Sequence, residues 1–477
     1  MSSDSHKAQT GIQPSIVHSQ LGEAFYDNVT PARFNQHILR YRHNMAASLI
    51  GLDGLDDEKW CDHFARFTAI DGSFSQPLAL RYHGHQFGQY NPELGDGRGF
   101  LFAQFYERDT GRLVDLGTKG SGKTPYSRTA DGRLTLKGAV REILATEMLH
   151  ARAVPTSHTL SVIETGEALI RHDEPSPARS AVLVRLLHSH IRIGSFQRLA
   201  FFGEADQLEQ LTRHVVTHYY DPLDPEQPLD TLVPQFISSF SRNVAKMVAG
   251  WMAAGFVHGV LNTDNFNITG DSFDYGPWRF LPRFDPMFTA AYFDHGSRYA
   301  YGRQPQSAMW ALCRLADCFT ESVDVETLQD SLAGFYPHLE RCLAEHLLYR
   351  LGLKADTSEA ESFSEQLFKA AASSQIAFDR LFYDLYGGTI NAEHASTLWQ
   401  THQPLAELAA RASQFERRQS DRQIQTMRAL PYFTLEIEQV EAIWAPIAAS
   451  DDWRLFEDAL SQIRAYGRAL AADNNQR

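Results

Sequence analysis

His258-Gly259-Val260-Leu261-Asn262-Thr263-Asp264-Asn265, followed by Asp274-Tyr275-Gly276, is the stretch on which the reading of this chain turns. Asn265 and Asp274 offer amide and carboxylate oxygens, the donors that a hard divalent cation prefers. The side chain of Val260, two residues after His258, neither accepts a proton nor binds a metal. A carboxylate reappears at Asp264, directly beside Asn265. The run therefore reads as a loop that holds a metal-bound polyphosphate, with its proton acceptor displaced next to a metal ligand.

The spacing is that of protein kinases. Their catalytic loop, H-R-D-x-x-x-x-N, and the later D-F-G supply a base Asp, a metal Asn and a metal Asp. Here Val260 stands where the base belongs, so the loop keeps the metal ligands without ordinary kinase chemistry. Upstream, Lys119 ends an expected strand, and Glu142 follows 23 residues later on an expected helix. In kinase-type folds such a lysine contacts phosphates and is steadied by a helix carboxylate. Spacing alone says little, since surface Lys and Glu are common; the downstream loop gives the pair its weight.

Other phosphate-binding candidates carry bland alternatives. Gly95-Asp96-Gly97-Arg98-Gly99 is a turn in which backbone N–H groups and a bidentate Arg98 approach phosphates, or a plain hairpin turn with an exposed arginine. Arg185 and Arg192, on either side of His188-Ser189-His190, either clamp a polyphosphate or are two solvated charges. The His188/His190 and His83/His85 pairs lack the further ligands a zinc site needs. Gly117-Thr118-Lys119-Gly120-Ser121-Gly122-Lys123-Thr124 matches a Walker A phosphate loop, which would make Lys123 the important lysine. Pro125-Tyr126-Ser127-Arg128 then reads as loop where a phosphate-binding helix should continue, and no Walker B strand stands out.

Composition narrows the field. At 477 residues the chain has core enough for two or three domains. A net charge of −14 with no basic run argues against nucleic-acid binding, which needs a cationic face. The four cysteines (Cys61, Cys313, Cys318, Cys342) form no C-x-x-C pair and read as packed thiols in a reducing compartment. The polar Met1–Ser19 stretch has no signal-peptide core, and no apolar run reaches the roughly 18 residues of a membrane span. A cytoplasmic protein is expected.

Residues 1–22 read as a flexible lead-in and 23–75 as helices capping a first lobe. Strand, tight turn and strand are expected over 100–116, a helix over 135–152, and strands near 161–170 and 181–187. A long amphipathic helix over 231–257 feeds the His258 loop; beyond Asp285 the chain reads as mostly helical, with a polar loop at 354–365. The expected division is 1–22 lead-in, 23–180 strand-rich N-lobe with the phosphate-binding elements, 181–319 helix-rich C-lobe with the catalytic and metal loops, and 320–477 helical C-terminal region. The fold class is α+β, a protein-kinase-like two-lobed fold with a helical extension.

Taken together, these motifs resemble the selenoprotein O family, pseudokinase-fold protein adenylyltransferases. The resemblance runs from about His83 to Gly302. It is carried by Tyr82-His83-Gly84-His85-Gln86-Phe87-Gly88, Leu94–Gly99, Lys119–Gly122, Thr124–Arg128, Asp131-Gly132-Arg133, His258–Asn265 and Asp274-Tyr275-Gly276-Pro277. It implies transfer of AMP from ATP to Ser, Thr or Tyr hydroxyls of proteins, with ATP inverted relative to kinases so that the α-phosphate faces the acceptor. It further implies Gly95, Gly97, Arg98, Lys119, Asp131, Gly132, Arg185 and Arg192 at the nucleotide, and Glu142 as the lysine's partner. Asn265 and Asp274 become ligands of Mg²⁺ (or Mn²⁺), and Asp264 the proton acceptor. The chain departs from the family at its end, where many members carry a Cys-containing redox pair; here the last cysteine is Cys342. The alternatives are a phosphotransferase using Asp264 as base and a non-catalytic nucleotide-binding scaffold. The expected partners are ATP and acceptor proteins, with no nucleic acid and no membrane.

Overall fold

The computed structural model describes residues 11–172 and 174–471. Its first half is organised by one antiparallel sheet of nine strands. In chain order these are β1 (Pro14–Ser15), β2 (Tyr26–Asn28), β3 (Ile38–Arg42), β4 (Leu78–Leu80), β7 (Leu101–Tyr106), β8 (Leu113–Lys119), β9 (Leu134–Thr135), β10 (His158–Leu169) and β11 (Ala178–Leu187). A separate hairpin joins β5 (Gly84–Gln86) to β6 (Gln89–Asn91). The sheet runs β2-β4-β7-β8-β11-β10-β3, with β1 added to β7 and β9 to β11.

The period-2 alternation of β11 explains how the sheet is covered on both faces. Val182 and Val184 join a core with Trp60 and Phe64 of helix α2 (Asp57–Phe64), which follows α1 (Asn44–Leu49). Ala181 and Leu183 face the other way, onto Val140, Ile143 and Leu144 of α3 (Leu136–Ala151). Thr135 caps α3 by accepting from the Gly138 N–H at 3.1 Å. Because β8 ends at Lys119 and α3 lies across the sheet, the lysine and Glu142 are brought together.

The second half is helical. After α4 (Ile193–Phe202) and α5 (Ala205–Tyr219) comes the central α6 (Leu229–Ala254). It stops at Gly255, whose φ of 66° is the left-handed conformation that ends helices. The chain then forms β12 (Phe256–Val257), paired with β13 (Arg279–Phe280), so that the whole segment 258–278 is a loop closed at its base by two strands. Further helices follow: α7 (Gln304–Ala316), α8 (Val325–Leu332), α9 (Phe335–Leu351), α10 (Thr357–Ser374), α11 (Phe378–Asp384), then, beyond the short α12 (Leu398–Thr401), α13 (Gln403–Ala412) and α14 (Asp421–Arg428). The last two are α15 (Ile437–Ser450) and α16 (Arg454–Leu470).

α16 returns to the first half and lies along α3. Arg464 reaches Glu147 at 2.7 Å, Tyr41 at 3.0 Å, and Gly467 brings the two helices so close that a Cβ there would stand 3.1 Å from Ala151. A second tie is a buried cluster in which Asp379 takes Arg152 and Arg350, each at 2.8 Å. The same guanidiniums donate to the last carbonyls of α6, Arg152 to Ala254 at 2.6 Å and Arg350 to Ala253 at 2.7 Å. Cationic groups at a helix C-terminus complement its dipole.

Four expectations need correction. Residues 1–10 of the expected flexible lead-in lie outside the described residues, but 14–21 are built in: Pro14 pairs with Phe105, and buried His18 donates its N–H to Gln104 at 3.0 Å. Between residues 23 and 75, β2 and β3 join the sheet rather than capping it, because its edge strands β4 and β10 have backbone groups to satisfy. The expected loop at 354–365 is the start of α10: Asp356 caps it, and Ala360, Phe363 and Leu367 form a buried stripe among the serines and glutamates. The expected join at 180/181 also falls inside β11, so the sheet continues to Leu187.

Candidate active site

The 258–278 loop faces the end of β8 across a cleft of about 280 Å³. Its walls include Gly95, Gly97, Arg98, Lys119, Arg185, Arg192, Asp264 and Asp274. Lys119 Nζ lies 2.6 Å from Glu142 Oε2 and 2.7 Å from Asp274 Oδ1. Arg185 Nη2 lies 2.9 Å from Glu142 Oε1 and 3.3 Å from Asp274 Oδ1. Two cations and two carboxylates thus close a neutral quartet, which is what permits Lys119, Arg185 and Glu142 to be buried. Burial alone would raise the Asp274 pKa. Lys119 and Arg185, with Arg98 and Arg192 beyond them, overcome that effect and hold its carboxyl well below the usual carboxylate range.

The loop's own bonds orient the other oxygens. Asn265 donates its amide to the Val260 carbonyl at 2.9 Å, which leaves its buried Oδ1 without a protein partner. Val260 therefore contributes a main-chain acceptor rather than a side chain. Asp264 is held from behind, its carbonyl accepting from Arg192 Nη1 at 2.8 Å, while its own Oδ1 is buried and unpartnered. Burial pushes the Asp264 carboxyl up to about 6, against the opposing charge of Arg192. Asp274 sits at φ 61°, a left-handed conformation uncommon for a residue other than glycine and frequent at functional sites. His258 anchors the loop, with Nε2 3.0 Å from the Phe273 carbonyl.

The glycine-rich turn has a packing reason as well as a chemical one. A Cβ at Gly95 would stand 2.3 Å from the Tyr126 ring, and one at Gly99 only 1.9 Å from the Thr118 carbonyl. Only glycine lets the turn lie against β8 and bring Arg98 to the cleft. Two expected residues are not brought to it. Exposed Asp131 pairs with Arg171 at 2.7 Å, and Gly132 packs on the Gly122 backbone. Glu142 and Asn265 lie behind the surface, reaching the cleft through the quartet and the loop. The Walker-like stretch supplies Lys119 to the quartet, while Lys123 is exposed.

Other residues in the cleft went unassigned from sequence. Asp96 pairs with Arg192 at 3.3 Å and accepts from the Leu80 N–H at 3.1 Å. The Arg192 guanidinium also lies over the rings of Tyr82 and Phe273, at 4.6 and 4.9 Å. His190 lines the cleft beside Gly117, with burial lowering its pKa. Among the described residues no cluster of three His, Cys, Asp or Glu forms a metal cage. The donor set here, one amide and one or two carboxylate oxygens, instead suits a hard cation that takes its remaining ligands from phosphates and water.

An antiparallel sheet and a helical half that frame a cationic cleft, with the acids Asp264 and Asp274 among its basic side chains, suit a class: enzymes that move part of a nucleoside triphosphate. The sequence profile of the family described as "Protein adenylyltransferase SelO" matches residues 10–464, and this chain belongs to that family. It is a nucleotidyltransferase. A "Protein nucleotidyltransferase YdiU" of Trichodesmium erythraeum is 41% identical, over 94% of this chain and 98% of the relative. The protein of the same name from Gloeobacter violaceus is 42% identical, over 96% of this chain and 95% of the relative. Among solved structures, ROP2 from Toxoplasma gondii, described as a virulence factor with a protein-kinase fold and no enzymatic activity, is similar at 10% identity and a TM-score of 0.27. It covers 66% of this chain and is too remote to add to the assignment.

Proposed function

We propose that the cleft transfers AMP from ATP to a Ser, Thr or Tyr hydroxyl of a protein. The hydroxyl oxygen forms a bond to the α-phosphorus, the bond from that phosphorus to the bridging oxygen breaks, and pyrophosphate leaves. Asp264 takes the hydroxyl proton. Its raised pKa makes it a stronger base than an ordinary carboxylate, yet one still largely ionised at neutral pH. Lys119, Arg98, Arg185 and Arg192 meet the charge that accumulates on pyrophosphate, in a cleft organised before the nucleotide arrives. Asn265 Oδ1 and Asp274 would hold Mg²⁺, or Mn²⁺, which offsets negative charge on the phosphates. Glu142 acts by holding Lys119 in place.

The observation that carries this reading is an unpartnered Asp264 carboxylate oxygen next to an Asn265 whose amide is spent on the Val260 carbonyl, so that its buried Oδ1 has no protein partner. It gives the cleft a base and a metal ligand without the kinase aspartate. The four free cysteines suit a cytoplasmic setting. Intact-mass spectrometry after incubation with ATP and Mg²⁺ tests the proposal, with Asp274→Ala as control. Adenylate additions absent from the control support it; phosphate additions would establish a phosphotransferase instead.

A further inference from the structure

Beside the catalytic loop lies a surface the transfer chemistry does not use. The β5–β6 hairpin is bonded to the residues flanking Asp264: the His85 N–H donates to Thr263 Oγ1 at 2.7 Å, and the Phe87 N–H to Asn262 Oδ1 at 3.1 Å. Tyr299 donates to the same Asn262 oxygen at 2.8 Å. Whatever rests on the hairpin is therefore a residue or two from the proposed base.

The hairpin carries an exposed aromatic ledge. Phe87 stands 5.9 Å from Phe293, which stands 5.1 Å from Tyr292; these rings are 39%, 40% and 78% exposed. On the other flank, exposed Phe201 stacks on Tyr90 at 5.1 Å. Contiguous exposed aromatics of this kind mark interaction surfaces.

Against the hairpin, where Arg298 lies beside Gly88 and Trp310 stands 5.1 Å from His85, is a cavity of about 550 Å³ lined by Arg298, Arg303 and Trp310. The Arg298 guanidinium lies 4.9 Å from the Trp310 ring centroid. Arg303 donates only to the Gly296 and Ser297 carbonyls. Neither arginine pairs with a carboxylate among the described residues, although the whole chain carries a charge of −14. The nearby acids are otherwise engaged: Asp294 accepts from the Arg298 and Tyr299 N–H groups, and Asp317 pairs with Arg314. An Arg298 guanidinium over the Trp310 ring, beside an exposed Arg303 without a carboxylate partner among the described residues, is the chemistry that recognises carboxylates.

We infer that the Arg298–Arg303–Trp310 cavity and the adjoining aromatic ledge dock the acceptor protein through an acidic segment that carries the hydroxyl to be modified. The inference rests on the transferase reading above and adds a selectivity to it: acidic residues beside the acceptor hydroxyl raise its use. Carboxylates would sit on Arg298 and Arg303, and an apolar side chain on Phe87 and Phe293.

The test uses the full chain, ATP, Mg²⁺ and two synthetic peptides with the same Ser, Thr and Tyr acceptors, one flanked by glutamates and the other by lysines. AMP incorporation into the glutamate peptide should exceed that into the lysine peptide at least tenfold in kcat/KM, chiefly through KM. Arg303→Glu, on an exposed side chain, and Arg298→Glu should each abolish or reverse that preference. Both should keep the wild-type rise in Tm on adding ATP, which also shows that they fold. Equal use of the two peptides, self-modification with no transfer to either, or a preference untouched by Arg303→Glu overturns the docking inference alone. No adenylate on either peptide or on the enzyme overturns the transferase reading, and the docking inference with it.

Discussion

At the scale of single residues, the site depends on groups whose partners are fixed and groups left without one. Asp264 belongs to the second kind, and Asp264→Asn should cut AMP transfer by about 10²–10⁴-fold, the worth of a positioned base. ATP binding, followed by the nucleotide-induced rise in Tm, should persist. Glu142 belongs to the first kind. In Glu142→Gln, Lys119 and Arg185 keep Asp274 as their one carboxylate and compete harder for it. The Mg²⁺ needed for half-maximal transfer should rise by about 10–100-fold, as for other outer-shell changes at metal sites, and a Mg²⁺ titration reads it directly. Lys119, Glu142, Asp264 and Asp274 were legible in the sequence because the chemistry fixes both residue type and spacing. Asp96 was not, since an acid inside a glycine-rich turn looks solvated until Arg192 is seen against it. The unpartnered Oδ1 of Asn265 was equally hidden, because it depends on a backbone carbonyl that every residue possesses.

At the scale of elements, periodicity located the sheet strands around Lys119, the helix carrying Glu142 and the helix feeding the loop. It failed where polar composition masked a partner far along the chain. The serines and glutamates of α10 concealed its buried stripe, and the polar residues near His18 concealed a segment sewn onto β7. That segment makes a pH prediction. Burial pulls His18 down to about 4 from 6.5, only partly opposed by Asp115, and neighbouring His190 lowers it further. Between those values the unfolded chain binds the proton and the folded chain does not, so this contribution to stability is complete above 6.5 and is lost as pH falls toward about 4. His18→Gln should flatten the pH dependence of Tm across that window, as a series of thermal melts would show. An unchanged slope would mean that other buried groups dominate acid unfolding.

At the scale of the whole molecule, the helical region is joined to the catalytic half at several places, Lys137–Glu441 and Arg179–Asp451 among them. One is the Arg152–Asp379–Arg350 cluster at the end of α6, where burial favours a neutral Asp379 but the two guanidiniums hold its pKa below the usual range. Asp379→Asn would leave two buried cations facing a neutral amide. It should lower stability by about 3–5 kcal/mol in denaturant unfolding, the cost of breaking a buried ion pair from one side. The general two-lobed plan was legible because the motifs fall in kinase order. The return of α16 was not, since no local signal announces a contact 317 residues away in sequence, such as that between Arg464 and Glu147. That return sets an order of events during synthesis. α3 carries the partner of Lys119 on one side and rests on α16 on the other. A chain still emerging from the ribosome, with residues 454–470 yet to be made, has every motif in hand but lacks the support that seats them. A copy cut short before residue 454 would leave the side of α3 that carries Glu147 and Ala151 uncovered.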